Sequence, residues 1–271
     1  MIKIVSNLLV LLSAFAWNLP AQVDESNRPV YKSSGIAPII KFGMELHKNL
    51  KSEYQKKVHV KPINIETDVT PFARLEVLKN DDYPQEMATV FISAGFIDLV
   101  NYVAHAKAIE RIEKGYFQKY IMSLSKESGE TELHEPPNLN DSRYWTREML
   151  NEQLSNFNQI IGVVVGIKLS FYYLGYYEKY KSKQTDAEGK IIPISELLTQ
   201  AEWDEAVKCG VRNSMETGLM LDGVRALFEC IDKMPQRPAW TKYFLPSKVK
   251  YSKTKRDMDR YEKRFLAGED F

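Results

Sequence analysis

The spacing of apolar residues changes along this chain, and each change marks a different kind of structure. Ile39, Ile40, Phe42, Gly43, Leu46 and Leu50 recur at the interval of one helix face, which predicts an amphipathic helix over residues 39–54. The pattern then shortens. Residues 58–60, 63–65 and 73–78 read as short strands separated by Pro62 and by Thr70-Pro71. Asn80-Asp81-Asp82 supplies a turn, and residues 89–93 form a further β-type run that ends at Gly95. From Phe96 helical spacing returns through Leu99, Val103, Ala106 and Ile109, predicting one or two helices over residues 96–124.

Residues 126–141 are polar, with Gly129, Pro136 and Pro137, and read as a loop; Asp141 or Ser142 suits the cap of the next helix. Residues 160–177 are the most apolar internal stretch. A membrane span needs about 20 apolar residues, and this run sits near that limit. Lys168 at its centre would be costly in lipid, so the pattern favours a buried core helix, with Gly162, Gly166 and Ser170 allowing close packing. Residues 179–192 form a charged connector. Residues 194–198, 203–215 and 221–234 look helical, with Gly218 as a stop between the last two. A Pro-rich aromatic segment over 235–246 precedes a strongly charged stretch, 251–266, which reads as a solvated helix. These elements make an α+β protein: a small early β-sheet followed by a mostly helical body.

Composition narrows the function classes. Of the 271 residues 44% are hydrophobic and 27% charged, ordinary values for a chain that buries a sizeable core. Lys plus Arg number 37 against 36 for Asp plus Glu, so no global field points to nucleic acid or an anionic membrane. The N-terminus is more informative. Lys3, the apolar run from Ile4 to Trp17, and the small-residue patterns Ala14-Phe15-Ala16 and Leu19-Pro20-Ala21 have the architecture of a secretory signal peptide. We therefore expect a signal peptide over residues 1–21, an extended lead-in over 22–38, and a single domain over 39–271, exported to the periplasm or secreted. In an oxidising compartment Cys209 and Cys230 can pair if two helices bring them together; otherwise they act as small buried hydrophobes.

The middle of the chain carries a family resemblance. Val90-Phe91-Ile92-Ser93-Ala94-Gly95-Phe96-Ile97-Asp98-Leu99, followed by Val103-Ala104-His105, resembles the strand, glycine turn and catalytic helix of the zinc metallopeptidases related to HtpX and the CAAX prenyl endopeptidases. Pro71-Phe72-Ala73 and Gly115-Tyr116-Phe117 match flanking family positions. The stretch from Gly218 to Phe228, then Pro246-Ser247-Lys248 with Arg260, extends the likeness over roughly residues 70–260. The family implies a zinc-dependent endopeptidase, whose chemistry needs two His one turn apart, a Glu to activate water, and a third ligand.

This sequence departs from that pattern where it matters. His105 holds the first ligand position, but Ala106 stands where the general base belongs, Ile109 at the second His, and Trp203 at the third ligand. Glu202 and Glu205 lie beside Trp203 but off the expected face, and Glu110 and Glu113 on the first helix read as solvated. No other pair of His among His47, His59, His105 and His134 has metal-ligand spacing, and His134-Glu135 runs into Pro136-Pro137. The expectation is a metallopeptidase-like pseudoenzyme with no catalytic residues and no zinc, acting on a protein or peptide partner by binding, without nucleic acid and without a membrane. Two alternatives stay open: an active zinc metalloendopeptidase rearranged around His105, His134 and acidic residues, and a membrane-associated structural protein spanning through residues 160–177.

Overall fold

The computed structural model describes residues 36–80, 83–126 and 133–271, so the expected signal peptide and nearly all of the lead-in lie outside the described residues. The architecture is mostly helical α+β. A three-stranded sheet has the order β1-β3-β2, built from Val58–Glu66, Ala73–Asn80 and Tyr83–Ser93. The central β3 is parallel to β1 and antiparallel to β2, as in the pairs Ile63–Val90 and Val77–Ala88. Pro62 does not end β1. It lies within a register irregularity between Val58 and Ile63, which accommodates a residue lacking an N–H on an edge strand. The expected turn residues Asp81 and Asp82 lie outside the described residues.

Because β1 and β2 flank β3, the link between them must cross the end of β3. That link, residues 67–72, passes over the point where β3 becomes the helix α2, Ala94–Ile109. The expected glycine turn at Gly95 is instead the second residue of α2, with no turn between strand and helix. Ser93 caps α2 by accepting from Phe96 N, and its Oγ also accepts from Phe72 N, both at 2.9 Å. Gly95 N donates to the Asp68 carbonyl at 3.0 Å, and a Cβ at Gly95 would stand 2.0 Å from the Val69 carbonyl oxygen. Glycine is there for close backbone approach, not for a turn.

The predicted run over 96–124 divides into α2 and α3, Tyr116–Lys126, with Gly115-Tyr116-Phe117 at the start of α3. The next helix, α4, runs from Arg147 to Tyr173 without a break; Thr146 caps it, and a 3-10 turn at Ser142–Trp145 precedes it. It stops short of Tyr177 because Gly175 adopts a left-handed conformation. Around α4 pack α2, α5 (Gln200–Glu216) and α6 (Asp222–Lys233), while α1 (Ile36–Lys48) packs on β1. At the α4–α5 crossing a Cβ on Gly166 would lie 2.9 Å from Gly210 Cα, so the two backbones touch there.

α4 is long and apolar enough to cross a membrane, and 83% of its most apolar window is buried inside the protein. Lys168 is 3% exposed; its ammonium donates to the Tyr243 carbonyl and lies 5.0 Å from the centroid of the Phe171 ring. Burial lowers its pKa to about 7. The terminal helix α7, Tyr251–Leu266, is not wholly solvated. Tyr251, Thr254, Met258 and Tyr261 form a buried stripe, and α7 packs on α5 through it.

Candidate functional site

α2 is buried on nearly every side, so a histidine on it meets core. His105 is 1% exposed and its Nε2 lies 2.9 Å from the Tyr144 carbonyl oxygen. A carbonyl only accepts, so Nε2 carries the proton. Trp145 covers the imidazole, with ring centroids 4.5 Å apart. Burial lowers the His105 pKa to about 4, against a smaller opposing effect of the Tyr144 carbonyl. Ala106 and Ile109 are both 0% exposed and present only carbon to their surroundings.

The acidic residues of this corner are partly exposed, and they also accept hydrogen bonds from the chain. Glu110 accepts from Gly115 N at 2.9 Å and Phe117 N at 2.7 Å, tying the start of α3 to the end of α2. Glu113 accepts from the Tyr144 hydroxyl at 2.6 Å and from Lys119 at 2.9 Å. Burial, followed by that bond to Glu113, raises the Tyr144 pKa to about 12. The 3-10 turn that supplies the carbonyl for His105 is thus held from both sides.

Trp203 lies elsewhere. It is 0% exposed, its indole N–H donates to Thr254 Oγ1 at 3.3 Å, and its ring meets Phe228. It therefore faces α6 and α7, whereas His105 faces residues 144–145. Glu202 forms a capping box with Thr199 and also accepts from Lys179 at 2.6 Å and Tyr180 at 2.9 Å. Partial burial would raise its pKa, but these bonds together outweigh it and bring the carboxyl to about 2. Glu205 accepts from the Tyr176 hydroxyl. His47 reaches the Gln55 carbonyl at 3.3 Å and His59 the Lys61 carbonyl at 3.0 Å, while His134 is half-buried in the segment before the 3-10 turn.

A zinc ion does not fit this donor set. His105 directs its N–H at a carbonyl beneath an indole, Ala106, Ile109 and Trp203 carry no metal donor, and Trp203 points into a different part of the core. Among the described residues no three His, Cys, Asp or Glu side chains are grouped so as to hold a metal ion.

A cleft of about 370 Å³ gathers accessible polar groups, of which only Glu205 and Cys209 stood out in the sequence. The turn after α1 supplies Asn49, Leu50, Lys51 and Tyr54; the end of α4 supplies Tyr173 and Leu174. One face of α5 supplies Glu205, Lys208, Cys209, Arg212, Asn213 and Glu216. Tyr54 and Tyr173 stack with centroids 4.0 Å apart and planes 9° apart. Both cysteines are free thiols, Cys230 buried on α6 and Cys209 half-buried in this cleft. Burial, then Glu205, raises the Cys209 pKa, while a bond from Tyr173 and the charges of Lys208 and Lys51 oppose the rise. A second, more open depression of about 540 Å³ is lined by Arg225, whose guanidinium is paired with Asp259 at 2.9 Å and Glu262 at 2.6 Å.

Comparison of the chain with protein-family models, with curated proteins and with solved structures gives no match. One signal for the cleft was present in the sequence. Asn213 and Ser214 follow Gly210 and Val211 on the core-facing side of α5, where an apolar residue is the norm.

Proposed function

We propose that this chain is an exported, metallopeptidase-like protein that has given up zinc chemistry and acts by binding a protein or peptide. The observation that carries this reading is the state of His105. The one retained ligand position is a buried hydrogen-bond donor to the Tyr144 carbonyl, and its neighbours Ala106 and Ile109 are packed carbon. Nothing at position 106 can take a proton from a bound water, the step that zinc peptidases require of their Glu. What remains accessible is the cleft beside α5, with an aromatic wall and charges of both signs, the composition of a recognition surface.

The test pairs elemental analysis of dialysed protein with cleavage of casein and a peptide library, with and without chelator. We expect no stoichiometric zinc and no chelator-sensitive cleavage. Near one zinc per chain together with chelator-sensitive cleavage would overturn the reading in favour of a rearranged active site. Export rests on the N-terminal series alone. Sequencing of the mature protein from its host should find the first residue beyond the small-residue patterns at 14–21; a mature chain starting at Met1 removes that part of the proposal.

A further inference from the structure

The charged groups of the cleft differ in how far they are already used. Glu205 is taken by the Tyr176 hydroxyl, and Arg212 by the main-chain oxygen of Phe271 and by Asp270. Lys51 and Lys208 have no such partner among the described residues, and both line the same cleft as Cys209. Lys51 and Lys208 are thus the cleft's cations without an ion pair among the described residues, beside Glu205, which keeps its charge under the neutral Tyr176 hydroxyl, and Glu216 at the rim.

A second observation comes from Asn213, also part of the cleft wall. It is 4% exposed; its Nδ2 donates to the Leu46 carbonyl at 2.9 Å, which fixes the amide so that Oδ1 is the other atom. No donor among the described residues reaches that oxygen. A buried acceptor without a protein donor is uncommon in a folded chain and is open to a donor from water or from a ligand. The cleft thus offers two cations, the buried Asn213 acceptor in its wall, and the stacked Tyr54–Tyr173 pair beside them.

We propose that the cleft receives an acidic peptide segment, an Asp or Glu carboxylate lying between Lys51 and Lys208 with a main-chain N–H of the same segment offered to Asn213. This deepens the binding reading above and rests on it. The carboxylate matches the uncommitted cations, the amide N–H matches the orphan oxygen, and a peptide main chain carries both within one or two residues. The cleft opens to solvent through the exposed Asn49, Lys51, Glu205 and Glu216, so a chain can enter and leave it.

The test uses the full chain and fluorescein-labelled, end-capped peptides, identical except that alternate positions are Asp, Asn or Lys. Anisotropy should show the Asp peptide binding at least about tenfold more tightly than the Asn peptide, with the difference shrinking as salt rises. The double variant K51E/K208E, which changes only surface charge, should lose that preference while keeping the wild-type thermal midpoint. Maleimide labelling of native protein should modify Cys209 before Cys230, and saturating Asp peptide should slow the Cys209 reaction at least about fivefold.

Equal affinity for the three peptides, or no binding of any, overturns this inference. So does tight Asp-peptide binding that ignores K51E/K208E and leaves Cys209 labelling unchanged; that result keeps the binding reading and moves its site. Chelator-sensitive cleavage in the earlier assay sinks the binding reading instead. The two failures are therefore separable.

Discussion

The corner around His105 and the cleft around Cys209 use polar residues in opposite ways. At His105 the polar groups are closed upon one another: imidazole to the Tyr144 carbonyl, Tyr144 hydroxyl to Glu113, Glu113 to Lys119. Beside Cys209, Lys51, Lys208 and the Oδ1 of Asn213 have no partner among the described residues. The first arrangement rigidifies a junction between helices; the second leaves interaction capacity for something outside the chain. The place where the proposed metallopeptidase likeness would put chemistry is the one the fold has sealed. The place where polar groups still want partners lies on other elements.

The largest expected effect comes from forcing chemistry back into the sealed corner. Ala106→Glu with Ile109→His restores the family motif on paper but inserts a carboxylate and an imidazole at two positions that are 0% exposed. Overpacking and unpaired polar burial together should cost at least about 4 kcal/mol in urea denaturation, without gain of stoichiometric zinc. A near-wild-type midpoint with one zinc per chain would show that the corner is an open site, and the contrast between the two regions would disappear.

His105 gives the next effect. Its folded pKa of about 4 lies below the ordinary 6.5, so between these values the unfolded chain binds a proton that the folded chain does not. Stability contributed by the neutral imidazole is present above pH 6.5 and is lost as pH falls through 4, on the order of 3 kcal/mol. His105→Gln should flatten that part of the acid profile relative to wild type. Parallel profiles would mean that the imidazole is not held neutral.

Lys168 should act at the other end of the pH scale. Its folded pKa of about 7 lies below the ordinary 10.5, so the unfolded chain again binds the extra proton, and stability should rise with pH above 7. Between pH 7 and 9 the gain should be about 2–3 kcal/mol, and Lys168→Met should remove it. A wild-type profile that falls over this interval would place a counter-charge beside the ammonium. The smallest effect in free energy belongs to the open cleft, where tenfold selectivity for the Asp peptide corresponds to about 1.4 kcal/mol.

Much of the fold was legible because local pattern and tertiary structure agree. The apolar spacing marked α1, α2 and α4–α6, and β-branched runs marked the sheet. The errors fall where a residue serves a distant backbone. Gly95 reads as a turn, yet its role is to let residues 67–72 cross over it, which no local window contains. Mixed charge made residues 251–266 look solvated, although Tyr251, Thr254, Met258 and Tyr261 fall at helical spacing and could have been read as a buried stripe. Thr199-Gln200-Ala201-Glu202 spells a capping box, and that local role accounts for Glu202 without a vestigial ligand. The cleft was not legible, because its residues come from four stretches far apart in sequence, Phe271 among them, and only the fold unites them.

The most direct measurement of the central claim is the imidazole ¹⁵N–¹H spectrum of His105, assigned with His105→Gln and recorded across pH 4–7 with and without equimolar zinc. The account predicts a neutral ring protonated on Nε2, a titration midpoint near 4, and resonances that equimolar zinc does not move. An Nε2 that is unprotonated and shifts on addition of zinc would make His105 a metal ligand, and would contradict the claim that this corner has been closed.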